Sequence, residues 1–287
     1  MADTSTQARG PTVTRVGYIG IGGIGAPIAE NVMKAGFELM VYDLRQEAML
    51  ALAAQDARIA RSSREVAEWA EVVELSVDGD EAVLSAVLGE NGAMEGATTG
   101  TIIAVHSTIH PSTVKKIAEV GKRKGVKAMD ANPTGGAEGV RNHRLVWLVG
   151  ADKDDLERCR PVLEASGKDI FHMGPVGMGS AAKCAQQMIT TVNMLGAYEG
   201  FRVARAVGLD LKEFDRALHV STGQSYMADR WLAGFFEGMA AHGREGFHKG
   251  LIPCLQLAHE VGVSAPGTAL IQQLFTDFPD RPEVRTS

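Results

Sequence analysis

Three glycines near the start of the chain have a spacing that suits a bound phosphate. Gly20, Gly22 and Gly25 form the pattern G-x-G-x-x-G directly after a short apolar segment. In such a loop the first glycine permits a tight turn, the second lets the main chain approach a pyrophosphate, and the third lets a helix pack closely on a strand. The helix start offers N–H groups and a positive dipole end to the phosphates. The predicted dinucleotide contacts are Gly20, Ile21, Gly22, Gly23, Ile24 and Gly25.

An acidic residue follows this loop at the distance expected for a dinucleotide site. Asp43 ends the apolar segment 39–42, where a carboxylate can accept hydrogen bonds from the hydroxyls of the adenosine ribose. A carboxylate there would repel a 2′-phosphate, so NAD is predicted and NADP is disfavoured. Arg45, two residues further on, works against that preference. The alternatives without a ligand are a glycine turn that only connects two elements, and an Asp43 that caps a turn or a helix.

The surrounding pattern predicts elements that would hold this loop in place. Apolar, strand-like segments alternate with helix-like segments, which is typical of a doubly wound α/β sheet of the Rossmann type. The predicted strands are residues 16–19, 39–42, 72–76, 101–105, 127–130 and 145–149. After Gly179 the strand signals nearly vanish, and residues 181–207 have one long helical pattern. We predict a flexible tail (1–14), a Rossmann-type domain (15–176) and an all-helical substrate and oligomerisation domain (177–287).

Three ordered segments resemble the β-hydroxyacid dehydrogenases, in particular those like 3-hydroxyisobutyrate dehydrogenase and tartronate semialdehyde reductase. Residues 20–37, GIGGIGAPIAENVMKAGF, resemble the family's N-terminal fingerprint. Residues 130–136, DANPTGG, resemble its substrate-binding segment DAPVSGG, and residues 177–183, GMGSAAK, resemble its catalytic segment G-x-G-x-x-x-K. The similarity extends over residues 16–266. It implies hydride transfer between NAD and a small 3-hydroxy acid.

The resemblance also assigns roles to residues that position alone would not. Lys183 would be the general acid/base that exchanges a proton with the substrate hydroxyl, whereas a lysine at a helix start is ordinarily a solvated surface residue. Thr134, Gly135 and Gly136 would bind the substrate carboxylate, and Gln187 would donate a hydrogen bond to the substrate. A loop after a strand, and a glutamine that merely links helices, are the structural alternatives.

Four further residues are predicted to contact the cofactor. Ser76 ends the third predicted strand and Val77 follows it, and Thr108 follows the fourth strand, although Thr108 could instead cap a helix. Lys249 matches a family lysine that reaches toward the cofactor. Two positions depart from the family pattern: Gln186 replaces a common asparagine, and Gly250 replaces the aspartate that usually follows the lysine.

Composition limits the other classes of function. The net charge of −6 and the sequence pI near 5.8 give no general attraction for nucleic acid or anionic lipid. The three cysteines fit neither a metal pattern nor paired disulfides, which favours a reducing compartment. We therefore expect a cytoplasmic protein without a membrane span, a nucleic-acid partner or a metal. We interpret four histidines without ligand-like spacing as surface or loop residues: His106, His110, His143 and His172.

Two other functions remain open at this point. Imine reductases share the expected fold and cofactor type, but commonly have aspartate or tyrosine at the Lys183 position and prefer NADP. A non-catalytic dinucleotide-binding interaction module would be expected to lose Lys183. The resemblance and the long second-domain helix also suggest a homodimer or homotetramer.

Overall fold

The computed structural model describes residues 13–232 and 244–275. The chain divides into two compact units, of which the first ends at Ala182 and the second begins at Lys183. The predicted tail, residues 1–14, lies outside the described residues except for Val13 and Thr14. Val13 is buried in the core of the first unit, and the Thr14 N–H donates to Glu71. Val13 and Thr14 therefore belong to the folded first unit.

The first unit contains one eight-stranded sheet. Its strands are β1 (Arg15–Ile19), β2 (Glu38–Tyr42), β3 (Arg58–Ile59), β4 (Val72–Leu75), β5 (Ile102–Val105), β6 (Lys127–Thr134), β7 (Val146–Gly150) and β8 (Asp169–Gly174). They lie in the order β3-β2-β1-β4-β5-β6-β7-β8. Neighbouring strands are parallel except β6 and β7, which are antiparallel. The strand order reverses direction between β1 and β4, where α/β sheets bind ligands at the carboxyl ends of their strands.

Helices follow the strands and cover the sheet. In the first unit they are α1 (Gly25–Lys34), α2 (Gln46–Ala53), α3 (Ser63–Trp69), α4 (Gly79–Leu88), α5 (Ala93–Gly96), α6 (Pro111–Lys122), α7 (Gly136–Arg141) and α8 (Lys153–Glu164). The 29-residue helix α9 (Met178–Ala206) begins in the first unit and continues into the second. The remaining described helices are α10 (Leu211–Leu218), a short 3-10 turn (Ala228–Arg230), α11 (Arg244–Glu260) and α12 (Pro266–Leu274).

The central strands are buried because helices cover both faces of a parallel sheet. Every residue of β4 and β5 is buried, and alternate residues enter two separate apolar clusters. Val72 and Ile102 belong to one cluster, whereas Val73 and Ile103 belong to the other. The sheet is thus fixed from both sides, which gives its strand ends a rigid place from which to hold a ligand.

The second unit has its own apolar core. Helices α9, α11 and α12 contribute most of its buried residues, and Met227 and Phe275 complete it. The residues from the helices are Cys184, Met194, Leu251, Cys254 and Ile271. The predicted α/β fold followed by helices is confirmed. Within the described ranges, no helix is both long enough and apolar enough to cross a membrane.

Candidate functional site

The glycine loop has the geometry that a bound pyrophosphate needs. Gly20 has a φ of +84°, and a Cβ there would lie 2.3 Å from the Ser76 carbonyl oxygen. A Cβ on Gly25 would lie 2.1 Å from the Gly20 carbonyl oxygen. Gly22 is different, since its nearest neighbour would be Arg45 Nη2 at 3.9 Å. Gly20 and Gly25 are therefore required by the fold itself, whereas Gly22 leaves open space beside the main chain. The loop fits the phosphates of a dinucleotide.

The glycine loop gives the first prediction, because Gly22 and Gly25 should respond differently to alanine. Gly22→Ala should leave the melting temperature nearly unchanged and weaken NAD binding by at least about tenfold, since the methyl group occupies the space where charged hydrogen bonds to phosphate form. Gly25→Ala should destabilise the protein by about 1–3 kcal/mol or more through overpacking. Calorimetric titration with NAD and thermal unfolding check both. Equal loss of stability in the two variants would contradict this assignment.

Asp43 lies directly after β2 and binds the same loop. Its Oδ2 accepts the Ile21 N–H at 2.9 Å, and its Oδ1 accepts the Arg45 N–H at 2.9 Å and Arg45 Nε at 3.1 Å. Burial alone would raise the pKa of Asp43, but the hydrogen bonds and charge of Arg45 hold it below its usual value. The carboxylate therefore stays ionised and shapes the loop, and its contact with the ribose hydroxyls stays a prediction. Its turn-capping alternative is also real, because it bonds the Arg45 main chain.

The next strand ends extend this surface. The Tyr18 hydroxyl and Ser76 Oγ lie 2.8 Å apart, and the Val77 N–H donates to Ser107 Oγ at 3.0 Å. Thr108 is half-buried in the same segment after β5. The cap of α6 is His110, not Thr108, so the capping alternative for Thr108 is wrong. Contact of Ser76, Val77 and Thr108 with the cofactor stays a prediction.

The predicted substrate segment is the end of β6 and the turn after it. Thr134 ends the strand, and Gly135 and Gly136 follow with φ values of +117° and +62°. Both glycines adopt the left-handed region that other residues avoid. A Cβ on Gly136 would meet no atom within 4 Å. The paired glycines therefore serve the turn conformation and leave the main chain of Gly136 open to a small anion.

Asp130, near the middle of β6, binds the first turn of α9. Its Oδ1 accepts the Gly177 N–H at 2.7 Å and its Oδ2 accepts the Ser180 N–H at 2.6 Å. The carboxylate thus satisfies N–H groups that a helix start leaves without partners. Burial raises the pKa of Asp130, and the two N–H donors only partly oppose that shift. This anchor was missed as a functional residue in the sequence, although it begins the DANPTGG segment.

The glycines of the GMGSAAK segment, residues 177–183, let the start of α9 lie very close to the sheet. A Cβ on Gly179 would lie 2.6 Å from the Leu148 carbonyl oxygen, and one on Gly150 would lie 2.5 Å from Asp130 Oδ1. Gly177 has a φ of +96°. The start of α9 therefore packs directly on the backbones of β6 and β7, and only glycine permits that distance. Glycine at these positions fixes where the helix begins.

Lys183 follows Ser180 by about one helical turn and is buried, with 8% of its surface exposed. Its Nζ donates to Gln186 Oε1 at 3.3 Å, and Gln186 Nε2 donates to Thr190 Oγ1 at 2.7 Å. Burial lowers the pKa of Lys183 to about 8. The hydrogen bond with Cys184 and burial raise the pKa of the nearby Cys254 thiol, so that thiol stays neutral and adds no anion to hold the ammonium. Lys183 is not a solvated surface lysine.

Lys183 gives a second prediction, which concerns stability. Its pKa falls from 10.5 in the unfolded chain to about 8 in the fold, so burying its charge costs about 3 kcal/mol at neutral pH. Losing the hydrogen bond to Gln186 and the other contacts of the amine offsets about 1–2 kcal/mol of that cost. Lys183→Met should therefore stabilise the fold by about 1–2 kcal/mol below pH 8. Between pH 8 and 10.5 the unfolded state of the wild type binds more protons, so the wild type should gain stability with rising pH and the difference should disappear. Urea unfolding at pH 7 and 10 measures it; an equal advantage at both pH values would contradict it.

The other predicted residues of the second unit lie as follows. Gln187 is half-buried, and its Nε2 would lie 3.8 Å from a Cβ on Gly250. A side chain at 250, such as the family's aspartate, would therefore lie beside the Gln187 amide. Lys249 is exposed. The substrate role of Gln187 and the cofactor role of Lys249 stay predictions.

The histidines divide into two pairs. His143 and His172 are exposed, as predicted. His106 and His110 lie in the connection between β5 and α6, as the loop interpretation predicts, but they are buried, so the surface interpretation is wrong for them. His106 bonds to the distant Ala131 carbonyl oxygen and His110 bonds to the nearby Ser112 hydroxyl, and the sequence pattern reveals neither contact. Among residues 13–232 and 244–275, no three His, Cys, Asp or Glu side chains are grouped so that they could hold a metal ion.

Comparison with known proteins identifies the family. Residues 15–174 match the family described as the NAD binding domain of 6-phosphogluconate dehydrogenase. Residues 177–281 match the family described as NAD-binding of NADP-dependent 3-hydroxyisobutyrate dehydrogenase. The first match covers the unit that carries the glycine loop, and the second covers most of the helical unit.

Individual relatives agree with these matches. The chain is 32% identical to 3-hydroxyisobutyrate dehydrogenase of Pseudomonas aeruginosa, covering 92% of each chain. It is 35% identical to the NAD-dependent L-serine dehydrogenase of the same organism, over 74% of this chain and 71% of that one. The solved 3-hydroxyisobutyrate dehydrogenase of Mycobacterium tuberculosis with L-serine has 25% identity and a TM-score of 0.81, covering 93% of this chain and 94% of that one. The first unit is an NAD-binding domain, and the chain belongs to the β-hydroxyacid dehydrogenase family.

Proposed function

We propose that this protein transfers hydride between NAD and a small 3-hydroxy acid, with Lys183 as the general acid/base. The observation that carries the proposal is a buried lysine whose pKa is lowered to about 8, on a helix whose first turn is bound by Asp130. The relatives are hydroxyacid dehydrogenases, which supports this function over an imine reductase and over a non-catalytic module.

The proposed chemistry divides among a few groups. NAD, when bound, supplies the hydride acceptor. The neutral amine of Lys183 takes the proton of the substrate hydroxyl as the hydride leaves the adjacent carbon, and in the reverse direction the ammonium returns it. Thr134, Gly135 and Gly136 hold the substrate carboxylate, and Gln187 donates a hydrogen bond to the substrate. Gln186 keeps the lysine amine oriented through the bond at 3.3 Å.

The substrate class follows from the acids named for the relatives. L-Serine and 3-hydroxyisobutyrate both have a carboxylate and a hydroxyl on the third carbon, and differ in the group on the second carbon. Differences of that size change discrimination by only about 1–3 kcal/mol, so several such acids should be compared. The test measures formation of reduced nicotinamide with 3-hydroxyisobutyrate, 3-hydroxypropionate, glycerate and L-serine, each with NAD and with NADP. No turnover with any of them would overturn the proposal.

We also infer that the protein is a cytoplasmic homodimer or homotetramer. One face of α9 exposes Ile189, Val192 and Val203, and a Cβ on the intervening Gly196 or Gly200 would meet no atom within 4 Å. These positions recur at helical spacing and form an apolar stripe that suits a second copy. The three cysteines are free thiols, which suits the cytoplasm.

The oligomer proposal predicts that Val203→Glu dissociates the protein, because it places a charge in the apolar stripe. Light scattering coupled to size exclusion should show a dimer or tetramer for the wild type and a smaller species for the variant. Lys212→Glu, on exposed α10, is the control and should not dissociate. A monomeric wild type at micromolar concentration would contradict the proposal.

A further inference from the structure

A glutamate and a histidine are buried together in the sheet of the first unit. Glu74 lies on β4 and His106 directly after β5, and both side chains are fully buried. His106 Nε2 lies 3.1 Å from Glu74 Oε1, and His106 Nδ1 lies 2.7 Å from the Ala131 carbonyl oxygen on β6. Neither side chain has a part in the proton transfer proposed for Lys183, so the pair needs another explanation.

The hydrogen bonds fix how many protons the pair holds. A carbonyl oxygen only accepts, so Nδ1 of His106 must carry a hydrogen and donate it to Ala131. One further proton must then lie between Nε2 and the Glu74 carboxyl group. It belongs either to an imidazolium beside a carboxylate or to a neutral imidazole beside a carboxylic acid. In both cases the pair is neutral overall, and the ring is held in one orientation.

The surroundings argue against a purely stabilising role. The His106 ring lies between Trp147, with centroids 5.0 Å apart, and Tyr18, with centroids 6.2 Å apart. Glu74 Oε2 is buried and accepts no hydrogen bond from the described residues. Apolar residues of similar size would fill such a position at equal or better stability. Since stability alone does not require a polar pair here, the position that the pair imposes on Ala131 is the better explanation for it.

Ala131 lies in the segment that leads to the substrate turn. The next residue, Asn132, also bonds to the segment after β5, because its Nδ2 donates to the Ser107 carbonyl oxygen at 2.8 Å. Ser107 Oγ in turn accepts the Val77 N–H at 3.0 Å. The side chains of His106 and Asn132 thus both join β6 to the segment that follows β5. That segment is in turn bonded to the end of β4, beside the glycine loop. The spacing between the cofactor loop and the substrate turn depends on these bonds.

We propose that the Glu74–His106 pair is a positioning device that holds the end of β6, and with it Thr134, Gly135 and Gly136, at the register required to bind the substrate carboxylate. This inference rests on the proposed function. The pair touches neither substrate nor cofactor and acts through the Ala131 carbonyl group. Its loss should affect binding of the hydroxy acid more than binding of NAD.

The experiment compares Glu74→Leu, His106→Phe and the double variant. Each single change leaves one buried polar partner unmatched and should lower the melting temperature, whereas the double variant removes both and should recover most of the loss. The double variant should nevertheless keep a KM for the hydroxy acid about tenfold above the wild type, as expected for one lost hydrogen bond, with the KM for NAD changed less than about twofold. Deuterium exchange in residues 127–136 should be faster than in the wild type.

Two controls separate positioning from packing. Glu74→Gln can donate to a neutral His106 and should keep a KM near that of the wild type. His172→Phe removes another histidine–carbonyl contact, to Ala151, and should change neither KM nor exchange in residues 127–136. A double variant with wild-type KM and exchange would overturn the inference. A wild type that turns over no hydroxy acid would overturn the proposed function instead, and the exchange comparison would still test the positioning.

Discussion

Lys183→Met is expected to lower kcat for the hydroxy acid by about 10²–10⁴-fold, the usual contribution of a positioned acid/base, while NAD affinity changes by less than about twofold. Methionine fills the buried space and cannot exchange a proton. The predicted dinucleotide contacts of the glycine loop are unchanged. Single-turnover kinetics and calorimetric titration with NAD measure the two quantities. Retained turnover would discard the proposed role.

The pH dependence gives the same residue a second, independent test. Because burial lowers the pKa of Lys183 to about 8, the neutral amine accumulates above pH 8. The rate of alcohol oxidation, which needs a proton acceptor, should rise with pH and level off above that value. The reverse reaction, which needs the ammonium as donor, should fall over the same range. Lys212→Met, an exposed lysine on α10, should leave both profiles unchanged.

Asp130→Asn is expected to destabilise the protein by about 2–3 kcal/mol, the upper part of the range of about 1–3 kcal/mol for a buried donor left unpaired, because the lost acceptor is charged. The carboxylate accepts the Gly177 and Ser180 N–H groups with separate oxygens, and an amide can supply only one oxygen and would turn its NH₂ toward the other donor. The melting temperature should fall by roughly 5–10 °C. Turnover should fall as well, because the displaced first turn carries the helix that bears Lys183.

Asp152→Asn is the matched control. Asp152 also caps a helix, α8, by accepting the Asp154 N–H at 3.0 Å. That cap is exposed, and asparagine caps an exposed helix as well as aspartate does. We therefore expect little change in melting temperature or turnover. Similar losses in both variants would mean that Asp130 acts only as an ordinary cap.

Much of the fold was predictable from local patterns. The glycine spacing, the acidic residue after the second strand and the long helix each favour a particular local structure through the residues of one short segment. Helix α9, predicted over 181–207, runs from Met178 to Ala206. The edge strand β3 is only Arg58–Ile59, too short for any periodicity. The antiparallel direction of β7 depends on a connection through α7 that local patterns do not specify.

The site was less predictable, because its main contacts join distant segments. Lys183 was identified through a resemblance, but its burial, which lowers its pKa to about 8, is a property of the folded chain that the residue pattern does not show. Asp130 bonds to Gly177 and Ser180, which lie far along the chain. Glu74 and His106 each look unremarkable in the sequence, since nothing local indicates that β4 and β5 bring them together. Such pairings require the register of the sheet.

The bonds from Asp130 to Gly177 and Ser180 also bear on how chimeric enzymes of this family should be built. Recombination after residue 176, the predicted end of the Rossmann-type domain, would take the two N–H donors from one parent and their acceptor from the other. A crossover after Ala182 inherits strand and donors together, in agreement with the division into compact units. Hybrids spliced there should express and fold more often than those spliced a few residues earlier.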